Sequence, residues 1–392
     1  ELRMSRCSLL LAIDVASECV LGFHVCPTRH PTQTDLLSLL EVCLTPCPPR
    51  PVEPSNLERL AGAAFPTELS PAPDLGFETV QLDNAWIHHS HAVIDFLCRQ
   101  MGATVSYGLP AQPKTRALVE RTFNYLERHL GHRVDSTTGS HPHDPLRESK
   151  RNAQTPPLLT YQMLLDSLYL VLGTHNQTPR PHLGGSSPLA LFEHHLANHW
   201  RPPPPLNAPQ RYPFRASKTV ALHRPQRDAR PPYVHCFYCR YSGPGLLSLP
   251  SETKRILVYY DQRDMRHLTA YTLDGRTLGT LTAPRSWQRF PHSLQTRRYL
   301  FKLKKHDRIR MADPLTDYFL ELARGRRTPT TAAELLRVYL EFSPSGQALL
   351  ALSGESPRKP TSIDATDAPP KPGSPGAIVW SPLSWANAGK QD

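Results

Sequence analysis

Three acids in the first third of the chain stand where carboxylates can hold metal ions. Asp14 closes the apolar run of LLLAIDVAS, Asp83 closes a second strand-like segment in TVQLDNAW, and Glu120 sits early in the helix-like stretch KTRALVERTFNYL. A carboxylate ending a hydrophobic strand is costly if buried without a partner, so its presence there calls for one. Two strand-terminal acids and one on a nearby helix can converge on hard divalent cations. Mg²⁺ takes only a few protein oxygens and leaves room for phosphate and water. A pair of such ions about 3.5–4 Å apart activates the attacking oxygen and stabilises the leaving oxygen of an in-line phosphoryl displacement. Each acid alone reads more readily as a turn residue or as a helix-N-terminal charge. The ordered triple is what points to chemistry.

Positioning such a triple requires alternating strands and helices, and the first two hundred residues supply them. Ser8–Asp14 and Val20–Val25 read as paired strands. A leucine-rich helix over Thr34–Leu44 follows, with Thr34 or Asp35 as N-cap. Beyond a Pro-rich insertion at 46–76, Glu78–Asp83 and Ala103–Leu109 read as strands around a helix at His89–Met101. Lys114–Leu130, Tyr161–His175 and Pro188–His199 read as helices. The prolines at 202–205 end this unit. Short β segments follow at Arg255–Tyr260, His267–Leu273 and Arg276–Leu281, the last two flanking a hairpin turn at Asp274-Gly275. Helices return at Pro314–Ala323 and Ala332–Glu341, the second with Thr331 and Glu334 in capping-box spacing.

Strand–Asp, strand–Asp-Asn, then Glu-Arg-x-Phe on a helix, with 36 residues between Asp83 and Glu120, resembles the retroviral-integrase and transposase superfamily. Further segments narrow the resemblance. PLRESKRNA at 145–153 and THNQTPRPHLGGSSPLALFE at 174–193 look like the stretch that follows the catalytic core in TnsB-like and TniA-like transposases. RILVYYDQRDMRHLTAYTLDGRTLGT at 255–280 looks like the small barrel of the Mu transposase group. The resemblance implies an α/β, RNase H-like catalytic core over 1–200, a Pro-rich basic linker over 201–232 and a small all-β barrel that contacts DNA over 233–310. C-terminal helices over 311–345 and a partly disordered, partner-binding tail over 346–392 complete the expected plan.

The resemblance also implies a DDE transposase that cleaves and joins transposon ends into target DNA. Asp14, Asp83 and Glu120 would be both catalytic and metal-binding residues for two Mg²⁺ or Mn²⁺ ions. It implies a homo-oligomer assembled on DNA, an AAA+ ATPase regulator resembling TnsC that engages the tail, and a bacterial, cytoplasmic, nucleoid-associated location. Helix-turn-helix domains that select transposon ends would precede residue 1, so this chain is not expected to choose ends by itself. The alternatives are a catalytically inactive DNA-binding scaffold and a nuclease of the same fold that only hydrolyses.

Charge supports a nucleic-acid partner independently. Of a net charge of +11, residues 201–330 contribute +16, with 25 Lys and Arg against 9 Asp and Glu. Concentrated positive charge gains affinity by displacing counterions from phosphates. Candidate phosphate contacts are Lys114 and Arg116 beside Glu120, and the stripe Arg297, Arg298, Lys302, Lys304, Lys305, Arg308 and Arg310, interleaved with Tyr299 and Phe301. Arg121, offset around the helix from Glu120, could also hold the DNA backbone, with salt-bridging as its competing role. Eight irregularly spaced cysteines do not make a secreted disulfide framework. Cys236 and Cys239 have metal-pair spacing but lack a second pair, and read as small apolar residues packed with Tyr233, Phe237 and Tyr241. His88, His89 and His91 read as surface or capping residues, imidazole being a poor partner for Mg²⁺. The apolar runs are too short to cross a bilayer, and the apolar cluster Ile378–Trp380 and Leu383–Trp385 reads as a docking segment within the tail.

Overall fold

A computed structural model describes residues 7–28, 30–52, 60–69, 75–82, 89–107, 117–130, 160–198, 212–225, 231–310, 312–325 and 329–347. Strands β1 (Ser8–Ile13) and β2 (Val20–Cys26) pair antiparallel, with a register shift between Ala12 and Ile13. Helix α1 (Gln33–Leu44) begins earlier than the leucine spacing predicts. Thr32 is its cap: the Thr32 N–H and hydroxyl donate to Asp35 Oδ2 at 2.7 and 2.6 Å, and Thr32 Oγ1 accepts from the Asp35 N–H at 3.4 Å. Reciprocal satisfaction of two otherwise orphan donors outweighs a cap at Thr34. Strand β3 (Thr79–Leu82) pairs parallel with β4 (Thr104–Tyr107). Between them lies α2, a turn of α-helix over His91–Ile94 that widens into a π-helical segment over Asp95–Gln100. A crossover helix is the ordinary way to join parallel neighbours.

Helices α3 (Ala117–His129), α4 (Tyr161–Gln177) and α5 (Pro188–Asn198) complete the first unit. Its apolar residues form two clusters on opposite sides of the β1–β2 hairpin. Leu36, Leu37, Leu40, Phe96, Leu97 and Leu189 pack in one. Phe23, Val25, Phe65, Leu126, Leu168 and Leu172 pack in the other. The unit is therefore a helix–sheet–helix layering in which alternate β2 residues serve alternate faces. Part of the Pro-rich insertion is anchored rather than loose. Arg50 Nε donates to Asp166 Oδ1 of α4 at 2.7 Å, both side chains being buried. The Tyr169 hydroxyl accepts from the Arg50 N–H at 3.0 Å and donates to Glu68 at 2.5 Å.

The second unit is a curled six-stranded antiparallel sheet with order β10-β9-β8-β5-β6-β7. Its strands are β5 (Arg215–His223), β6 (Tyr233–Cys236), β7 (Cys239–Tyr241), β8 (Arg255–Asp261), β9 (Asp264–Tyr271) and β10 (Thr277–Thr282). A bridge between Ser242 and Thr282 links its two outer edges, so the sheet closes on itself. The span expected to be a linker over 201–232 therefore contributes β5, which lies between β6 and β8. Its register with β8 runs from Arg215 opposite Asp261 to Ala221 opposite Arg255. The β9–β10 loop also differs from a two-residue turn. Thr272 N–H donates to the Arg276 carbonyl at 2.8 Å, leaving three residues outside the pair, of which only Gly275 has positive φ, +90°.

Four helices pack against this barrel: α6 (Arg285–Gln288), α7 (Leu294–Lys305), α8 (Pro314–Arg324) and α9 (Pro329–Phe342). Helix α9 starts at Pro329, ahead of the predicted Thr331 cap. Glu334 is instead held by Arg337 at 2.7 Å and by the Tyr318 hydroxyl. Glu341 of α9 accepts from the Ser293 N–H at 2.6 Å and the Thr296 hydroxyl at 2.7 Å, an acid at the positive end of α7. Among the described residues no helix is long and apolar enough to cross a membrane.

Candidate active site and nucleic-acid interface

Asp14 follows β1 directly and anchors the turn into β2. Its N–H donates to the Cys19 carbonyl at 2.8 Å, and its Oδ2 accepts from the Ser17 N–H at 2.8 Å and the Ser17 hydroxyl at 2.6 Å. This is the turn role that the sequence offered as an alternative to metal binding. The two roles are compatible, because a carboxylate has about four lone-pair sites and these bonds use one oxygen. They also fix the carboxylate's direction, as outer hydrogen bonds do for metal-ligating acids.

Within the same turn Glu18 adopts a left-handed conformation, φ +61°, uncommon for a residue with a side chain. Its carboxylate gathers three partners: Arg121 of α3 at 2.8 Å, Arg180 at 3.1 Å and His182 at 3.1 Å. Burial raises the Glu18 pKa, but the His182 hydrogen bond and the Arg121 charge outweigh it and hold the acid below its ordinary value. Arg121 thus takes the salt-bridging role that competed with a DNA contact, and its partner ties the helix bearing Glu120 to the turn bearing Asp14. Glu120 itself is exposed in the first turn of α3. Strand β3 ends at Leu82, one residue before Asp83. Asp83, His88, Lys114 and Arg116 lie outside the described residues. His89 stacks on Tyr107 at 4.4 Å, and Ser90 rather than a histidine caps α2.

The segment THNQTPR supplies the rest of this clamp. Asn176 is buried and grips the edge of β2: it accepts from the Val20 N–H at 2.8 Å and donates to the Val20 carbonyl at 2.9 Å. His175 lies against Arg180, 2.8 Å from Nδ1, and burial together with that guanidinium lowers its pKa to about 4. Sequence spacing alone does not assign these roles. Glu18 was missed altogether, since a lone Glu between Ser17 and Cys19 carries no spacing signal of its own.

On the barrel unit the basic stripe divides in two. Arg298, Lys302, Lys304, Lys305, Arg308 and Arg310 are exposed, whereas Arg297 is 0% exposed. Arg297 donates to the Tyr241 hydroxyl, to the Met265 carbonyl at 2.9 Å and to His292 Nε2 at 2.7 Å, with its guanidinium 4.7 Å from the Trp287 ring. It is a core residue, and its assignment as a phosphate contact is corrected: a buried fork with these partners cannot reach solvent. The helical phase held the clue, since Arg297 lies three residues from both Leu294 and Leu300. His292 keeps the matching neutral form, its Nδ1 donating to the Phe290 carbonyl at 3.0 Å, while burial and Arg297 lower its pKa to about 4. Arg308 is exposed but engages Glu321.

Aromatic rings lie beside the exposed bases. Cys236 and Cys239 are paired neighbours in the β6–β7 hairpin, both buried and free, as expected of packed thiols. The two residues between them, Phe237 and Tyr238, have φ of +45° and +66°. Positive φ at both central positions is what a two-residue type I′ hairpin turn requires, although bulky residues seldom adopt it. Tyr238 is 49% exposed and stacks on Phe301 of α7 at 4.3 Å, with Lys304 Nζ 5.6 Å from the Phe301 ring. Lys218 lies 5.0 Å from the Phe237 ring. A presented ring among lysines suits the backbone and base faces of nucleic acid.

No protein-family model matches the chain, and no curated protein does. Among solved structures, the BIV integrase catalytic core is 16% identical over 50% of this chain and 93% of that one, with a TM-score of 0.29. A chain of the simian T-cell lymphotropic virus intasome in complex with PP2A regulatory subunit B56 gamma is 15% identical over 65% and 70%, with a TM-score of 0.28. Likenesses at such TM-scores decide neither fold nor activity.

Proposed function

We propose that the chain is the core of a DDE-type DNA transposase, a polynucleotidyl transferase with an RNase H-like catalytic unit and a DNA-contacting barrel. The observation that carries this reading is the Arg121–Glu18 ion pair at 2.8 Å, which holds the helix of Glu120 against the turn of Asp14. The donor set of Asp14, Asp83 and Glu120 is entirely carboxylate oxygen and fits Mg²⁺ or Mn²⁺. When bound, two such ions supply charge stabilisation to an in-line displacement at phosphorus. The protein's part is positioning: Ser17 orients Asp14, Glu18 and Arg121 orient α3, and the exposed bases of α7 with Tyr238 hold the DNA. Assembly of a homo-oligomer on DNA, and docking of the C-terminal tail onto an AAA+ ATPase, belong to the same proposal.

The test is a strand-transfer assay with pre-processed DNA ends and Mg²⁺ or Mn²⁺, comparing the chain with Asp83→Asn and Glu120→Gln. Joined products that fall about 10²-fold or more in both variants support the reading. Cleavage without joining assigns a nuclease, and DNA binding without either reaction assigns a scaffold.

A further inference from the structure

At the opposite end of the β1–β2 hairpin from Asp14, three side chains of different chemistry meet. His24 and Cys26 are two residues apart on β2 and so share a face. Asp35 reaches them from the first turn of α1. One ligand atom from each lies within 4.8 Å of the other two. We propose that His24, Cys26 and Asp35 form a binding site for Zn²⁺, separate from the carboxylate site and independent of the transposase reading.

The donor set favours this ion. A thiolate, an imidazole and a carboxylate suit borderline-soft Zn²⁺, whereas Mg²⁺ prefers oxygen alone. Zn²⁺ with ligands at about 2.0–2.3 Å separates neighbouring donor atoms by roughly 3.2–3.7 Å in a tetrahedron. The His24 Nε2 to Asp35 Oδ1 distance, 3.2 Å, already has that value, and the Cys26 thiol lies within 4.8 Å of both atoms. Asp35 is already oriented to ligate, since Oδ1 faces His24 while Oδ2 accepts from the Thr32 N–H and hydroxyl. Ligating carboxylates are typically steadied by such outer bonds. Cys26 is 0% exposed, which shields the thiolate from solvent and oxidants, while the partly exposed His24 and Asp35 leave water access to a fourth position. In the paired register His24 lies opposite Leu10, four residues before Asp14, so the two sites are roughly 13 Å apart along the strand.

Such an ion would clip β2 to the start of α1. The same helix carries Gln33, which donates to Gln262 of the barrel at 2.6 Å, and Glu41, which pairs with Arg263. The site therefore steadies the helix onto which the barrel docks.

Titration of the full chain with Co²⁺ tests the proposal. One equivalent should produce visible ligand-field bands and a near-ultraviolet thiolate-to-cobalt charge-transfer band, both displaced by Zn²⁺. Cys26→Ser should abolish the charge-transfer band and weaken Zn²⁺ binding about ten-fold or more, while the exposed-thiol control Cys98→Ser leaves both unchanged. Should Cys26→Ser not fold, His24→Gln provides the second reading: it should weaken Zn²⁺ about ten-fold and reduce the thermal stabilisation that Zn²⁺ confers. A charge-transfer band that persists without Cys26 overturns the proposal. So does a loss of melting temperature in His24→Gln that is the same with and without Zn²⁺, the mark of a plain His–Asp clip. Neither result bears on strand transfer, which rests on other residues.

Discussion

Arg297 and Arg298 are adjacent in sequence, yet one guanidinium is buried among Tyr241, Met265 and His292 and the other is in solvent. Replacing Arg297 with Ala strips those buried partners of their donor, and chemical denaturation should show a loss of roughly 3 kcal/mol or more. Lys302→Ala with Lys305→Ala should leave the melting temperature unchanged. In DNA binding measured across a salt series, each lost phosphate contact should lower the log–log salt slope by about 1. Acid stability follows from two histidines. His175 and His292 have pKa values lowered from 6.5 to about 4, so the unfolded state binds more protons than the fold as pH drops. Their contribution is complete above about pH 6.5 and is lost progressively down to about pH 4, up to roughly 3 kcal/mol for each. Denaturant midpoints measured across that window should fall with acidification, and less steeply in a His175→Gln variant.

Closure of the sheet depends on how closely one turn approaches β10. A Cβ placed on Gly245 would lie 1.8 Å from the Leu278 carbonyl oxygen, and one on Gly243 would lie 2.6 Å from that of Thr280. Backbone atoms cannot yield as a flexible side chain can, so Gly245→Ala should open the seam between Ser242 and Thr282. Hydrogen exchange should then report loss of protection in β7 and β10. By contrast Gly275, at φ +90° with open space around it, should tolerate Ala at a cost of about 1 kcal/mol. Helix α3 is held by charge as well as by the packing of Leu126. Arg121→Ala should slow strand transfer about ten-fold and raise the metal concentration required, with partial rescue by Arg121→Lys. A residue that merely supported folding would lower yield without altering the metal dependence.

The two units meet through a small polar interface with an aromatic floor. Glu41, 1% exposed on α1, receives Arg263 at 2.5 and 3.2 Å, and that guanidinium lies 3.8 Å from the Phe214 ring. Tyr212 donates to Asp261 at 3.1 Å, and Gln100 donates to the Arg215 carbonyl at 3.1 Å, so the start of β5 is tied to both sides. Removing one member of a buried ion pair leaves the other uncompensated. Glu41→Ala should therefore cost about 3–5 kcal/mol. Hydrogen exchange should then quicken in α1 and at the start of β5, the two elements that this contact ties together.

What was legible in the sequence is what depends on local period and local chemistry. The β1–β2 hairpin, the helix between two strands at 79–107, the leucine phase of α1 and the packed thiols at Cys236 and Cys239 all follow from alternation, 3.6-residue spacing or the absence of a second cysteine pair. The strand ends at Asp14 and beside Asp83, and the helix of Glu120, were legible for the same reason. The cap at Thr32, the placement of β5 and the partners of Arg297 were decided elsewhere. Thr32 and Thr34 offer the same hydroxyl, and only the backbone path selects between them. Strand β5 stands between two proline clusters and pairs with β8, its partners lying 34 to 46 residues away in sequence. The Glu18 clamp joins residues 103 to 164 positions apart. Sequence alone determined which residues are available to carry charge, bind metal or fill a core. Tertiary structure alone decided which charges are buried against which partners, because burial and pairing depend on packing between segments that the chain brings together only when folded.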